Sequence, residues 1–95
     1  MNLMSICEEI IKKRRMVIYE QKKTGEWRPL AQIQRKEIDG NPSLLAFEIY
    51  HNAEYGLTER DTIRELNALV KEGKLKIETF NFRNEILPCY CVVKS

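Results

Sequence analysis

The segment Gly56-Leu57-Thr58-Glu59-Arg60-Asp61-Thr62-Ile63-Arg64-Glu65-Leu66-Asn67-Ala68-Leu69-Val70-Lys71-Glu72-Gly73-Lys74-Leu75 carries the sharpest local signal in the chain. Thr58 stands where an N-cap belongs, and Asp61 three residues later makes a near capping box, with Asp in place of the usual Glu or Gln. Ile63, Leu66, Leu69 and Val70 recur at helical spacing, which predicts a helix over 57–73 with one apolar face. Gly73 supplies the stop. At 100° per residue, Arg60, Arg64, Asn67 and Lys71 fall within about 60° of one another on the side away from that face.

Beyond Gly73, Leu75, Ile77, Thr79, Phe80 and Phe82 alternate as a strand does. Arg83-Asn84-Glu85 reads as a turn, and 86–93 as a second strand interrupted by Pro88, which places that strand at a sheet edge. Before Gly56, Leu44, Leu45, Phe47, Ile49 and Tyr50 crowd a segment that follows Ser43, and the expected element is a largely buried helix over 43–54. Asp39-Gly40-Asn41-Pro42 is a breaker cluster and marks a turn.

The N-terminal part reads as a helix over 3–23. Leu3, Ile6, Cys7, Ile10, Ile11, Val17 and Ile18 recur at spacings of three and four, and Gly25 ends the pattern. Met16-Val17-Ile18-Tyr19 taken alone also fits a short strand. Between 26 and 42, Pro29 argues against a helix, and the Ala31, Ile33 alternation allows a strand.

The order helix, connection, helix, tight turn, helix and two-stranded hairpin, together with Gly56-Leu57-Thr58, the Leu66-Asn67-Ala68-Leu69-Val70 core and the Gly73-Lys74-Leu75 exit, resembles the winged helix-turn-helix superfamily. The likeness runs from Leu44 to Val93 and takes in the first helix loosely, while residues 24–42 depart from it. It implies an α+β domain of three helices with a C-terminal β-hairpin wing, and it implies a binding module, since such domains engage DNA, RNA or protein. A recognition helix of this kind lies in the major groove, where Arg and Asn pair bidentately with guanine and adenine edges. The expected DNA-contacting set is Thr58, Arg60, Thr62, Arg64 and Asn67 for the groove, with Lys71, Lys74, Lys76 and Arg83 on the backbone. Such modules pair to read two half-sites, and helix 3–23 is the expected homodimer element.

Length and composition bound these expectations. Ninety-five residues make one small domain, and 43% hydrophobic with 32% charged residues describe an ordinary globular chain. The net charge of +2 is too mild to establish a nucleic-acid partner. It is also uneven. Residues 1–42 hold nine Lys and Arg against six Asp and Glu, while 43–95 hold seven against eight. Helix 58–72 itself carries three basic and four acidic residues, which favours a protein-binding adaptor as the rival reading. Lys12-Lys13-Arg14-Arg15 can hold phosphates, or it is a solvated helix flank.

Catalysis is thinly provisioned. His51 is the single histidine and has no motif partner that would complete an acid, base and nucleophile set. Cys89-x-Cys91 lacks an evident third ligand and reads as a buried pair, and Cys7 belongs to the apolar stripe. Neither a metal nor another cofactor is expected. No apolar run approaches the length of a membrane span, the N-terminus lacks a signal-peptide pattern, and free cysteines fit a reducing cytoplasm. Trp27, beside Arg28, is the aromatic residue most open to a contact role. The expectation is a small sequence-specific DNA-binding protein acting as a transcriptional regulator in the cytoplasm.

Overall fold

A computed structural model describes residues 2–94. It is an α+β protein with three helices and seven short strands in three small sheets. The winged helix-turn-helix architecture expected from the sequence is not what these elements build, and both N-terminal helices need correction.

Helix α1 spans only Leu3–Ile11. Asn2 caps it, its side-chain oxygen accepting from Ser5 N at 2.9 Å. Leu3, Ile6, Cys7 and Ile10 face inward. The chain then turns through Lys12–Arg14 and becomes strand β1, Arg15–Gln21. The β-branched and aromatic run Met16–Tyr19 overrides the helical spacing, because its side chains pack better on a pleated surface. β1 pairs antiparallel with β2, Trp27–Gln34, and the register slips between Ile18 and Tyr19, opposite Ala31 and Pro29. Pro29 is tolerated there because a two-stranded ribbon has only edge strands. Gly25, at φ 91°, lets the hairpin close.

The next segment also departs from expectation. β3 (Glu37–Ile38) and β4 (Asn41–Pro42) form a minute hairpin around Asp39 and Gly40, both at positive φ. In place of a helix over 43–54 there is a strand, β5 (Leu44–Leu45), and a single turn, α2 (Phe47–Tyr50). Ser43 does not cap a helix, since its hydroxyl donates to Lys36 O at 2.6 Å. Leu44 and Leu45 are both buried, on opposite faces, and only a strand can do that with neighbours in sequence.

The C-terminal half follows the sequence reading closely. Helix α3 runs Glu59–Lys71, with Thr58 Oγ1 accepting from Asp61 N at 3.1 Å. It ends in a Schellman motif: Gly73, at φ 76°, donates to Val70 O and Lys74 N donates to Leu69 O, each at 3.0 Å. β6 (Leu75–Phe82) and β7 (Glu85–Val92) form a hairpin whose two turn residues, Arg83 and Asn84, both lie at positive φ. The sheet order is β5-β7-β6, so the strand that carries Pro88 is central, not an edge as its proline implies. β5 reaches only Cys89 and Tyr90, and Pro88 lies one residue beyond it.

That sheet separates two cores. Leu44, Tyr90 and Leu75 meet Leu3, Ile6, Cys7 and Ile10 of α1, Ile49 of α2 and Leu66 of α3. On the other face Leu45, Leu87, Cys89 and Cys91 meet Met16 and Ile18 of β1 and Ile38 of β3. The period-two alternation along β7, Tyr90 to one side and Leu87, Cys89 and Cys91 to the other, builds both. The homodimer element expected in helix 3–23 is lost with that helix. Leu3, Ile6, Cys7 and Ile10 go to the first core and Met16 and Ile18 to the second.

Candidate nucleic-acid interface

Thr62 and Leu66 are fully buried and point α3 into the first core. Arg60, Arg64, Asn67 and Lys71 are all exposed, centred roughly 150° around the helix from those two residues. The structure thus brings these four onto one solvent-facing surface. Arg64 is held by Asp61, one turn earlier, at 3.1 Å, an exposed ion pair that exchanges readily for another anion. Among the described residues, Arg60 and Lys71 make no ion pair.

Other members of the expected set fall elsewhere. Thr62 is a correction: it is 0% exposed on the buried face of α3 and cannot present its hydroxyl to a groove. Its Oγ1 finds no hydrogen-bond partner among the described residues. Thr58 is exposed but engaged as the helix cap. Lys74 follows the helix and approaches Glu72 at 4.0 Å. Lys76 turns to Asp39, whose hydrogen bond and charge raise the lysine pKa and keep it ionised. Arg83 lies at the far tip of the hairpin, about 24 Å along β6 from Lys76. It stacks over the Phe82 ring at 5.2 Å. The hairpin cations therefore do not gather beside α3 as a single phosphate-holding row.

Two groupings lack any direct sequence forecast. Arg35 and Glu48 form a buried ion pair at 2.8 Å. Glu48 is also the acceptor for Val17 N and Leu45 N. The signal was a lone carboxylate inside the apolar run Leu44–Tyr50, because a charge buried there needs a partner. The second grouping is aromatic. Tyr19, Trp27, Phe47 and Tyr50 all approach the His51 ring, with centroids 4.6, 5.0, 5.8 and 4.5 Å away. Burial among these rings lowers the His51 pKa, and Glu59 opposes the shift. Trp27 keeps 41% of its surface exposed at the edge of this cluster.

Among the described residues no group of three or more His, Cys, Asp or Glu side chains could hold a metal ion, and no helix is long and apolar enough to cross a membrane. The cysteines are free and buried. Burial pushes the Cys7 thiol up to about 12, so it is a packing group and not a nucleophile. No family model matches the chain, and the comparisons with curated proteins and with solved structures found no match.

Proposed function

We propose that this protein binds duplex DNA through the outer face of α3. The observation that carries the reading is the placement of Arg60, Arg64, Asn67 and Lys71 on one exposed surface directly behind a buried face. A helix of 13 residues is about 20 Å long, enough to lie in a major groove. Arg60, Arg64 and Asn67 have the donor geometry for base edges, and Lys71 and Lys74 extend the surface to phosphates. Lys76, paired with Asp39, and Arg83, at the far tip of the hairpin, stand outside this surface. A regulatory role for the protein rests on sequence preference, which Asn67 and the two arginines would supply.

Selection from a random duplex pool tests this. The expected result is retention at low salt with enrichment of a short motif. Asn67→Ala should relax preference at one position, at a cost of about 1–3 kcal/mol in discrimination. No retention on duplex would end the DNA reading.

One observation favours a protein partner instead. Asp61, Glu65 and Glu72 flank the basic surface along one side of α3, and a mixed-charge helix face suits a complementary protein surface. Capture of a protein partner that is lost on charge reversal of Glu65, with no duplex binding, is the outcome that reading requires.

A further inference from the structure

The turn that joins α1 to β1 carries four consecutive cations, Lys12, Lys13, Arg14 and Arg15, all exposed. With Gln34, Arg35 and Glu37 they line an open cavity of about 560 Å³. Among the described residues none of the four forms an ion pair. The remainder of the chain is net negative, since the whole carries only +2. Such a concentration is self-repelling and is relieved by an anion.

Two ordinary explanations for a basic turn after a helix are excluded by contacts. Cations often serve the last carbonyls of a helix. Here, among the described residues, the buried Arg35 serves the one last-turn carbonyl that receives a side chain, donating to Ile10 O at 2.9 Å, and beyond the helix it donates to Lys13 O at 2.7 Å and Arg15 O at 3.1 Å. Nor do the four neutralise the buried carboxylate, because Glu48 is held by Arg35. The same three hydrogen bonds fix the backbone of the turn, so the cationic side chains project from a pre-organised base.

From this we infer that the α1–β1 turn is a phosphate-binding site. Its ligand is a phosphate or pyrophosphate group held by the Lys12, Arg14 and Arg15 side chains, with the Gln34 amide as a neutral donor. Glu37 also lines the cavity and opposes any anion there, so the four cations must outweigh it. The site is separate from the α3 surface and does not depend on the reading proposed for it. The phosphate can come from a nucleic-acid backbone or from a free phosphorylated molecule, and the experiment tells the two apart.

Inorganic pyrophosphate is titrated into the protein while amide resonances are followed, for the native chain and for Lys12→Ala with Arg14→Ala. These side chains are exposed, so the variant retains the fold, and Arg14→Lys serves as the charge-preserving control. Saturable shifts at residues 12–15 and 34–35 are expected, with affinity reduced about tenfold or more in the double alanine variant. In parallel, duplex DNA is titrated at several salt concentrations. A salt slope smaller by about 1 to 2 in the variant identifies a nucleic-acid backbone as the source. An unchanged slope beside the pyrophosphate effect identifies a free phosphorylated ligand. If neither pyrophosphate nor duplex moves the turn resonances, or if both variants respond as the native chain does, the site does not exist. Loss of duplex binding in an Arg60→Ala, Arg64→Ala chain leaves the pyrophosphate result untouched, which keeps the two readings separable.

Discussion

Arg35 donates from its two terminal nitrogens to the two carboxylate oxygens of Glu48, at 2.9 and 2.8 Å, and both side chains are almost wholly buried. The guanidinium also reaches Ser43 O, Ile10 O, Lys13 O and Arg15 O, and the carboxylate reaches Val17 N and Leu45 N. One pair therefore ties α1, β1, β5 and the start of α2 to the segment after β2. A buried pair is not a strong net stabiliser against an apolar replacement, but a half-pair is costly.

Removing either partner alone should accordingly destabilise the fold by about 3–5 kcal/mol, because it strands a buried charge. Arg35→Ala should also loosen residues 12–15, whose carbonyls lose their donor. Urea unfolding of Arg35→Ala, Glu48→Ala and the double variant checks this. The double variant should lie well short of the sum of the single losses.

These two residues also mark how far the sequence could be read. The elements from Thr58 to Val92 were legible because a cap, a 3.6-residue stripe, a glycine stop and an alternating strand agreed with one another, although Pro88 pointed to an edge for a strand that is central. Upstream, local signals conflicted. Ile10, Ile11, Val17 and Ile18 fit a helical stripe, yet Met16–Tyr19 pairs with β2, whose partners lie 10 to 17 residues further along the chain. Leu44–Tyr50 looked like a buried helix because hydrophobicity reports burial and not element type. Its first two residues are a strand only because β7 lies beside them. Of the expected site, the α3 face came from spacing alone. The burial of Thr62 was legible too, since it shares the angular position of Leu66 and Leu69 on the helix.

The cap on α3 has a measurable worth. Thr58→Ala removes the acceptor for Asp61 N and should cost about 1 kcal/mol, seen as a lower thermal midpoint. Thr58→Ser should retain most of it. An unchanged midpoint in the alanine variant would show that the α3 N-terminus is held by other contacts.

His51 should make stability depend on pH in a defined direction. Its folded pKa lies below the usual 6.5 because of burial among the rings, so the unfolded chain takes up a proton first as pH falls. Stability is at its full value above about pH 6.5, declines as pH falls toward the folded pKa and then levels, apart from carboxylate titration lower down. Urea midpoints measured from about pH 7.5 to 5 should fall for the native chain and change less for His51→Phe. Equal profiles for the two would remove the histidine from this role.

The thiols should be silent in the folded protein. Cys7, Cys89 and Cys91 are buried, and desolvation raises each pKa. A thiol-reactive disulfide reagent should therefore modify them only as fast as the chain unfolds, with all three reacting promptly in denaturant. Rapid labelling of Cys89 or Cys91 in native buffer would mean that the β7 face opens locally.

The most direct measurement on α3 is the salt dependence of duplex binding by the native chain and by Arg60→Ala with Arg64→Ala. The proposal predicts measurable affinity at low salt. In the variant it predicts binding weakened at every salt concentration, through lost base contacts, or a log–log slope reduced by about 1 for each phosphate contact removed. Identical affinity and identical slope for the two proteins would show that the outer face of α3 does not meet the duplex.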